Sequence, residues 1–162
     1  MSASAENVLE AARSVGAKLA TAESCTGGLI AAALTDVAGS SAVFDCGFVT
    51  YSNEAKAQML GVDPSVIDEN GAVSHEVAAA MATGAIGQSG ATHAISVTGI
   101  AGPGGGSAEK PVGLVFMALA TPNGVHVRKH IFRPDGEVRT SIRQQTVAAA
   151  LNWFYETLSV RP

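Results

Sequence analysis

The feature that most limits the fold of this chain is the spacing of its strand-like segments. "AKLATA" (17–22), "VFDCGFVTY" (43–51) and "THAISVT" (92–98) each have strand character, and helical patterns separate them. Residues 4–15 place Val8, Leu9, Ala12 and Val15 at helical spacing, with Ser4 as N-cap and Gly16 as stop. Residues 27–37 read as a buried, alanine-rich helix. Asn53 caps a short helix ending at Leu60–Gly61, Asp63–Pro64 opens another, and Ser74 begins a helix that runs to about Gly87. "VGLVFMALA" (112–120), a "PNG" turn and "VHVRKHIF" (125–132) form a hairpin. Asp135 then caps a last helix with Val138, Ile142, Ala149, Trp153 and Phe154 on one face. Strands joined by helical crossovers must run parallel, and a hairpin adds antiparallel ones. The order therefore predicts an α/β fold, a three-layer α/β/α sandwich on a mixed sheet, as one domain over residues 1–162.

Composition enters as a filter on function. With 162 residues, 47% apolar, a formal charge of −4 and ten scattered Lys and Arg, the chain suits neither nucleic acid nor an anionic membrane surface. Its longest apolar runs, 29–34 and 114–120, are too short to cross a bilayer. The start "MSASAENVLEAARSVG" lacks a basic segment and an apolar core, so no secretory signal is expected. Cys25 and Cys46 form neither a metal spacing nor a disulfide framework, and His75, His93, His126 and His130 show no ligand grouping. The expectation is a cytoplasmic protein acting on a small molecule, without metal or cofactor.

Parallel strands end on one edge of the sheet, and open α/β folds bind ligands in the crevice outside those ends. Glu23-Ser24-Cys25-Thr26-Gly27-Gly28 follows the first strand, Tyr51-Ser52-Asn53-Glu54-Ala55-Lys56 the second, and Thr98-Gly99 the third. Each cluster alone has a plain structural explanation. Ser24 or Thr26 suits an N-cap, Gly27 and Gly28 suit close packing, Tyr51 a half-buried strand end, and Lys56 a solvated surface. Their convergence on one edge is what points to a site. The irregular stretch "GIAGPGGGSAEKP" (99–111) is long for a plain connection. It lacks the Lys-Ser/Thr of a Walker A loop, which argues against a nucleoside triphosphatase. Its Gly99, Gly102, Gly104 and Gly105 leave backbone N–H groups free to face a phosphate or carboxylate.

"TAESCTGG", "AGSSAVF", "GFVTYSNEAK", "LGV", "GAVS" and "TGIAGPGGGSAEKPVG" occur in the order of the CinA C-terminal family. Over roughly residues 5–155 the chain resembles its stand-alone members, the nicotinamide-nucleotide amidohydrolases. The resemblance implies a five-strand mixed sheet related to anticodon-binding-like folds. It also implies hydrolysis of the carboxamide of nicotinamide mononucleotide to nicotinate mononucleotide and ammonia, by a metal-independent homo-oligomer, dimeric or larger. By position, Ser24 is then the nucleophile and Lys56 the base, with Tyr51, Ser41 and Thr98 at other active-site positions. The family's "F-x-G-D-R-x-x-V-R" pattern reads here as "FRPDGEVR" (132–139), which leaves one arginine without a counterpart and Arg139 or Arg133 to hold phosphate.

On this reading neutral Lys56 deprotonates Ser24, and backbone N–H groups around Thr26–Gly28, at the helix start, hold the oxyanion. Tyr51 either orients the lysine or shares the proton relay. Three alternatives stand beside it: a Cys25–Lys56 amidase, an amidase for another small amide, and a non-catalytic domain that binds a nucleotide through the glycine loop. The altered arginine pattern favours the last.

Overall fold

The structure, a computed structural model, describes residues 3–160. The elements follow the local chemistry of the chain. Ser4 and Asn7 cap each other's backbone at the start of α1 (Ala5–Val15), and Gly16, in the left-handed region, ends it. β1 (Leu19–Glu23) is buried on both faces, as a central parallel strand must be. The short α2 (Leu29–Thr35) and a 3-10 turn (Ser40–Ala42) lead to β2 (Phe44–Val49). Ser52 and Asp63 cap α3 (Asn53–Leu60) and α4 (Pro64–Asn70), and Ser74 caps α5 (His75–Gly87). β3 (His93–Gly99), β4 (Leu114–Thr121), β5 (Gly124–Ile131) and α6 (Val138–Ser159) complete the order.

The sheet order is β2-β1-β3-β4-β5. β1 pairs in parallel with β2 and β3, whereas β3–β4 and β4–β5 are antiparallel, so the sheet is mixed as expected. Apolar residues of α1, α2 and α6 pack on one face with Leu19, Ile95, Val97 and Met117. On the other face α3, α4 and α5 pack on Ala20, Ala22 and Ala94. Small residues on that side bring the helices close. A Cβ at Gly84 of α5 would lie 2.0 Å from the Leu60 carbonyl oxygen, so glycine there lets the end of α3 seat against α5. α3 carries Lys56, and its seating fixes how far that side chain reaches.

Four boundaries differ from the sequence reading. Ser52, not Asn53, caps α3, its hydroxyl accepting from the Ala55 N–H. β1 runs to Glu23, which therefore belongs to the strand and not to the loop after it. Helix α2 spans seven residues where 27–37 was expected, because Gly27 and Gly28 have φ of +60° and +100° and form a turn. Glu137, not Asp135, caps α6: its carboxylate accepts from the Arg139 and Thr140 N–H groups, while Asp135 accepts from the Ser141 hydroxyl. Asp135 lies too far upstream to reach the orphan donors of the first turn.

Candidate active site

A cavity of about 220 Å3 opens at the C-terminal edge of β1, β2 and β3. Its lining brings together Ser24, Tyr51, Lys56, Thr98, Gly99 and Arg139, with Cys25 and Asn53 beside them. Small apolar residues, Ala72, Val73 and Ala101, form the remaining wall.

Lys56 is the unusual member. It is 1% exposed, and its Nζ lies 3.4 Å from Ser24 Oγ, donating also to the carbonyls of Thr50 at 3.1 Å and Tyr51 at 3.4 Å. No carboxylate pairs with it: among the described residues the ion pair is Arg128–Glu156, on the surface. Burial therefore pushes the Lys56 amine below the ordinary lysine range, against a smaller opposing effect of Cys25. A neutral amine has two N–H donors and one lone pair. Nζ contacts two carbonyls and the Ser24 hydroxyl, so in the neutral form both carbonyls keep their donors and the remaining position, toward Ser24, is the one left for the lone pair.

Ser24 sits in the turn between β1 and α2, where its N–H donates to the Val97 carbonyl. Beneath it the Glu23 carboxylate is fully buried and accepts four hydrogen bonds, from the Thr21 and Thr26 hydroxyls and the Ile30 and Ala31 N–H groups. This corrects the expected role of Thr26, Gly27 and Gly28. They do not line the cavity, and the start of α2 is closed off by Glu23 rather than open to a ligand. The Gly27 N–H donates to the Ser24 carbonyl and the Leu29 N–H to Thr26, which leaves Cys25, Thr26 and Gly28 as free backbone donors among the described residues.

Cys25 lines the cavity but is 6% exposed, and burial raises its thiol to about 11, so at neutral pH it is a protonated thiol. The Tyr51 phenol is directed outward, 61% exposed, and accepts from Arg139 Nη2 at 2.9 Å. It is the Tyr51 backbone carbonyl, not the phenol, that meets Lys56. Arg139 also donates to the Gly102 carbonyl at 3.0 Å, which ties the glycine loop to α6. The Thr98 hydroxyl donates to the Ala72 carbonyl at 2.7 Å, so it faces the cavity as an acceptor.

Other expected residues lie elsewhere. Gly104 and Gly105 are exposed on the outer part of the loop and do not line the cavity. Ser41 is exposed in the 3-10 turn before β2, at the opposite end of that strand from Tyr51, so this chain does not bring it to Ser24. Arg133 is exposed and takes part through its carbonyl, which accepts from Gln145.

Arg143 was missed. Its Nε and Nη2 donate to the carbonyls of Cys25 and Thr26, both at 3.1 Å. Arg139 and Arg143 are one helical turn apart on α6, and "RTSIR" (139–143) repeats the family's R-x-x-V-R spacing with isoleucine for valine. The pattern is therefore complete, displaced by a loop three residues longer between Phe132 and Arg139. The arginine spacing, read apart from the preceding Phe, was the signal that would have found it. Among the described residues no three His, Cys, Asp or Glu side chains gather as a metal site would need.

A parallel-edge cavity with a buried, unpaired lysine against a serine defines a class of α/β protein, and sequence comparison gives the family. The family model for the CinA C-terminal domain matches residues 1–158, and the chain belongs to that family. It is 50% identical over 152 residues to the nicotinamide-nucleotide amidohydrolase PncC of Escherichia coli K12, covering 93% of this chain and 90% of that one. It is 56% identical over 150 residues to a CinA-like protein of Geotalea daltonii, covering 93% of this chain but 36% of that longer protein. The chain thus spans about a third of the first curated relatives it matches. The crystal structure of the competence/damage inducible protein CihA from Agrobacterium tumefaciens superposes with a TM-score of 0.86 at 50% identity, covering 95% of this chain and 96% of that one. A CinA superfamily protein from Klebsiella pneumoniae gives 0.90 at 35% identity, covering 96% and 95%. No helix of the described residues is long and apolar enough to cross a membrane.

Proposed function

We propose that this chain is a nicotinamide-nucleotide amidohydrolase that converts nicotinamide mononucleotide to nicotinate mononucleotide and ammonia through Ser24 and Lys56. The observation that carries the reading is Lys56 Nζ, buried without a carboxylate and 3.4 Å from Ser24 Oγ. The likeness to PncC over 90% of its length supports the substrate.

Neutral Lys56 takes the proton from the Ser24 hydroxyl, and the oxygen attacks the carboxamide carbon. The N–H of Cys25, the residue after the nucleophile, donates to the developing oxyanion; one such donor contributes roughly 3 kcal/mol. Protonated Lys56 returns its proton to the departing nitrogen, which leaves as ammonia with a Ser24 ester behind. Lys56 then takes a proton from a water that attacks this ester, and passes that proton to the Ser24 oxygen as the acid leaves, restoring both groups. The Thr98 hydroxyl, committed as a donor to Ala72, accepts from the substrate's amide N–H.

The cavity, at about 220 Å3, is smaller than the roughly 300–1,000 Å3 of pockets that enclose drug-sized ligands. It holds the pyridine carboxamide, while ribose and phosphate lie over the rim formed by Tyr51, Asn53 and Arg139. Arg139, which reaches this rim, binds the phosphate. The cationic pyridinium ring meets no carboxylate in the lining, and its positive charge beside the amine favours the neutral form of Lys56. The protein acts in the cytoplasm as a homo-oligomer, dimeric or larger. Exposed Leu29 and Val49 supply apolar surface for a subunit contact, which light scattering of the purified chain tests.

The deciding experiment is ammonia release from nicotinamide mononucleotide by the wild-type chain. Release that disappears in Ser24→Ala supports the reading. Absence of release, with tight mononucleotide binding by calorimetry, would instead make the chain a binding domain, and release from other amides alone would reassign the substrate.

A further inference from the structure

Two charged side chains of the site have no role in the steps above, Glu23 and Arg143. Glu23 lies below the Ser24 turn, fully buried, and gathers the Thr26 hydroxyl and the first free N–H groups of α2. Arg143 lies on the other side and takes the carbonyls of Cys25 and Thr26 with two arms of one guanidinium. Arg143 does not line the cavity, and the two donor arms bonded to the turn are spent there. We infer that Glu23 and Arg143 are positioning residues for Ser24, gripping its turn by N–H and hydroxyl groups from below and by carbonyls from the side.

The turn needs such a grip. Gly27 and Gly28 both sit in the left-handed region, and glycine loses more conformational freedom on being ordered than any other residue. A seven-residue helix gives little intrinsic order to the segment that follows. The carboxylate and the guanidinium replace it with five charge-assisted hydrogen bonds, three to Glu23 from Thr26, Ile30 and Ala31 and two from Arg143. Arg143 meets the two carbonyls with two separate nitrogens, Nε and Nη2, held in one rigid plane, a geometry that the single flexible Nζ of a lysine does not reproduce. Fixing both carbonyl groups also fixes the opposite, N–H side of the same peptide units. The Thr26 carbonyl shares its peptide unit with the Gly27 N–H, which donates to the Ser24 carbonyl, and that carbonyl's own peptide unit carries the Cys25 N–H that meets the oxyanion.

The inference rests on the amidase reading, so its test includes a measurement that is independent of activity. Hydrogen exchange at the amides of residues 24–31 is measured in wild type, Arg143→Ala, Arg143→Lys and Glu23→Gln, alongside kcat and KM for nicotinamide mononucleotide. Arg143→Ala should speed exchange in this segment and leave β3 and β4 unchanged. Its kcat should fall by about 10²-fold, the effect of a misplacement near 1 Å, with KM unchanged. Arg143→Lys should recover little, and added guanidinium ion at low millimolar concentration should restore turnover to the alanine variant. If Glu23→Gln does not fold, the two Arg143 variants decide the matter. A raised KM with unchanged kcat would overturn the inference by placing Arg143 on the substrate, and unchanged exchange would overturn it by leaving the turn ordered without the clamp. A wild-type chain inactive on the mononucleotide would remove the substrate assignment, while the exchange result would still decide the clamp.

Discussion

Glu23 and Lys56 approach Ser24 from two sides, both buried and both ionisable, yet their surroundings are opposite. The Glu23 carboxylate accepts four hydrogen bonds, two of them from the first N–H groups of α2, where partial positive charge favours an anion. Lys56 has two carbonyls and a serine hydroxyl, and no counter-charge. The first arrangement stabilises a charge so that it can organise a turn. The second withholds that stabilisation, and the group responds by favouring its neutral form. Burial alone therefore does not mark a reactive group; burial without compensation does.

Activity gives the largest expected effects. Ser24→Ala and Lys56→Ala should each lower kcat by at least about 10³-fold, as removal of a covalent nucleophile or its base does. Lys56→Arg should be as inactive, because a guanidinium remains protonated. An active arginine variant, assayed by ammonia release, would break the contrast by showing that the lysine never acts as a base.

Stability should divide the pair in the other direction. Glu23→Gln should destabilise the fold by about 1–3 kcal/mol, because the amide turns an NH2 toward donors that then lack an acceptor. Lys56→Met should stabilise it by about 0.5–2 kcal/mol, the familiar exchange of activity for stability. The pH dependence follows from the direction of the shift. The Lys56 amine is lower in the folded state than in the unfolded chain, so between the two values the unfolded state binds more protons and stability rises with pH. The advantage of Lys56→Met is thus fully present below the lowered folded value and shrinks as pH climbs toward about 10.4, the unperturbed lysine value. Activity should rise with pH across that same lowered value. Urea midpoints at several pH values check the first statement and a kcat–pH profile the second; an advantage that grows with pH would reverse the assignment.

Arg139→Ala sharpens the contrast at the rim. Loss of one charged contact to phosphate should raise KM for the mononucleotide about tenfold, equivalent to 1.4 kcal/mol. The phosphate-free riboside should be nearly unaffected. Equal losses on both substrates would take Arg139 off the phosphate and leave it with Tyr51 and Gly102, its partners in the free protein.

Cys25→Ala should have the smallest effect and keep most activity. The thiol stays protonated, with burial raising it to about 11, and Lys56 Nζ reaches the Ser24 hydroxyl. Rates of inactivation by a thiol-alkylating reagent should be slow near neutral pH and increase toward pH 11. Loss of activity in Cys25→Ala with retention in Ser24→Ala would reverse the two roles.

Much of this was legible in the chain. The helix–strand order, the caps at Ser4, Ser74 and Asp63–Pro64, and the hairpin at "PNG" are written in local residue types, since caps and turns depend on neighbours a few positions apart. Parallel crossovers then bring the ends of β1, β2 and β3 to one edge, which is why Ser24, Lys56 and Thr98 are found together from topology alone. Glu23 was not legible in this way. A glutamate before a serine looks like any polar loop residue until β1 is seen to carry it inside, beneath α2. Arg143 was hidden for a different reason: its partners, the carbonyls of Cys25 and Thr26, lie more than a hundred residues away and have no side-chain signature. The placement of Ser41 failed on distance, because strand β2 separates it from the edge where Tyr51 lies.

The sequence by itself determined the α/β order, the edge at which chemistry collects and the serine and lysine that face each other there. Residue type and spacing carry that information through backbone propensity, capping and strand direction. Only the tertiary structure decided which charges are compensated. That Lys56 is left without a carboxylate while Glu23 receives four donors depends on where α2, α3 and α6 pack against the sheet. The protonation state of a buried group follows from the sum of its neighbours in space, most of them distant in the chain.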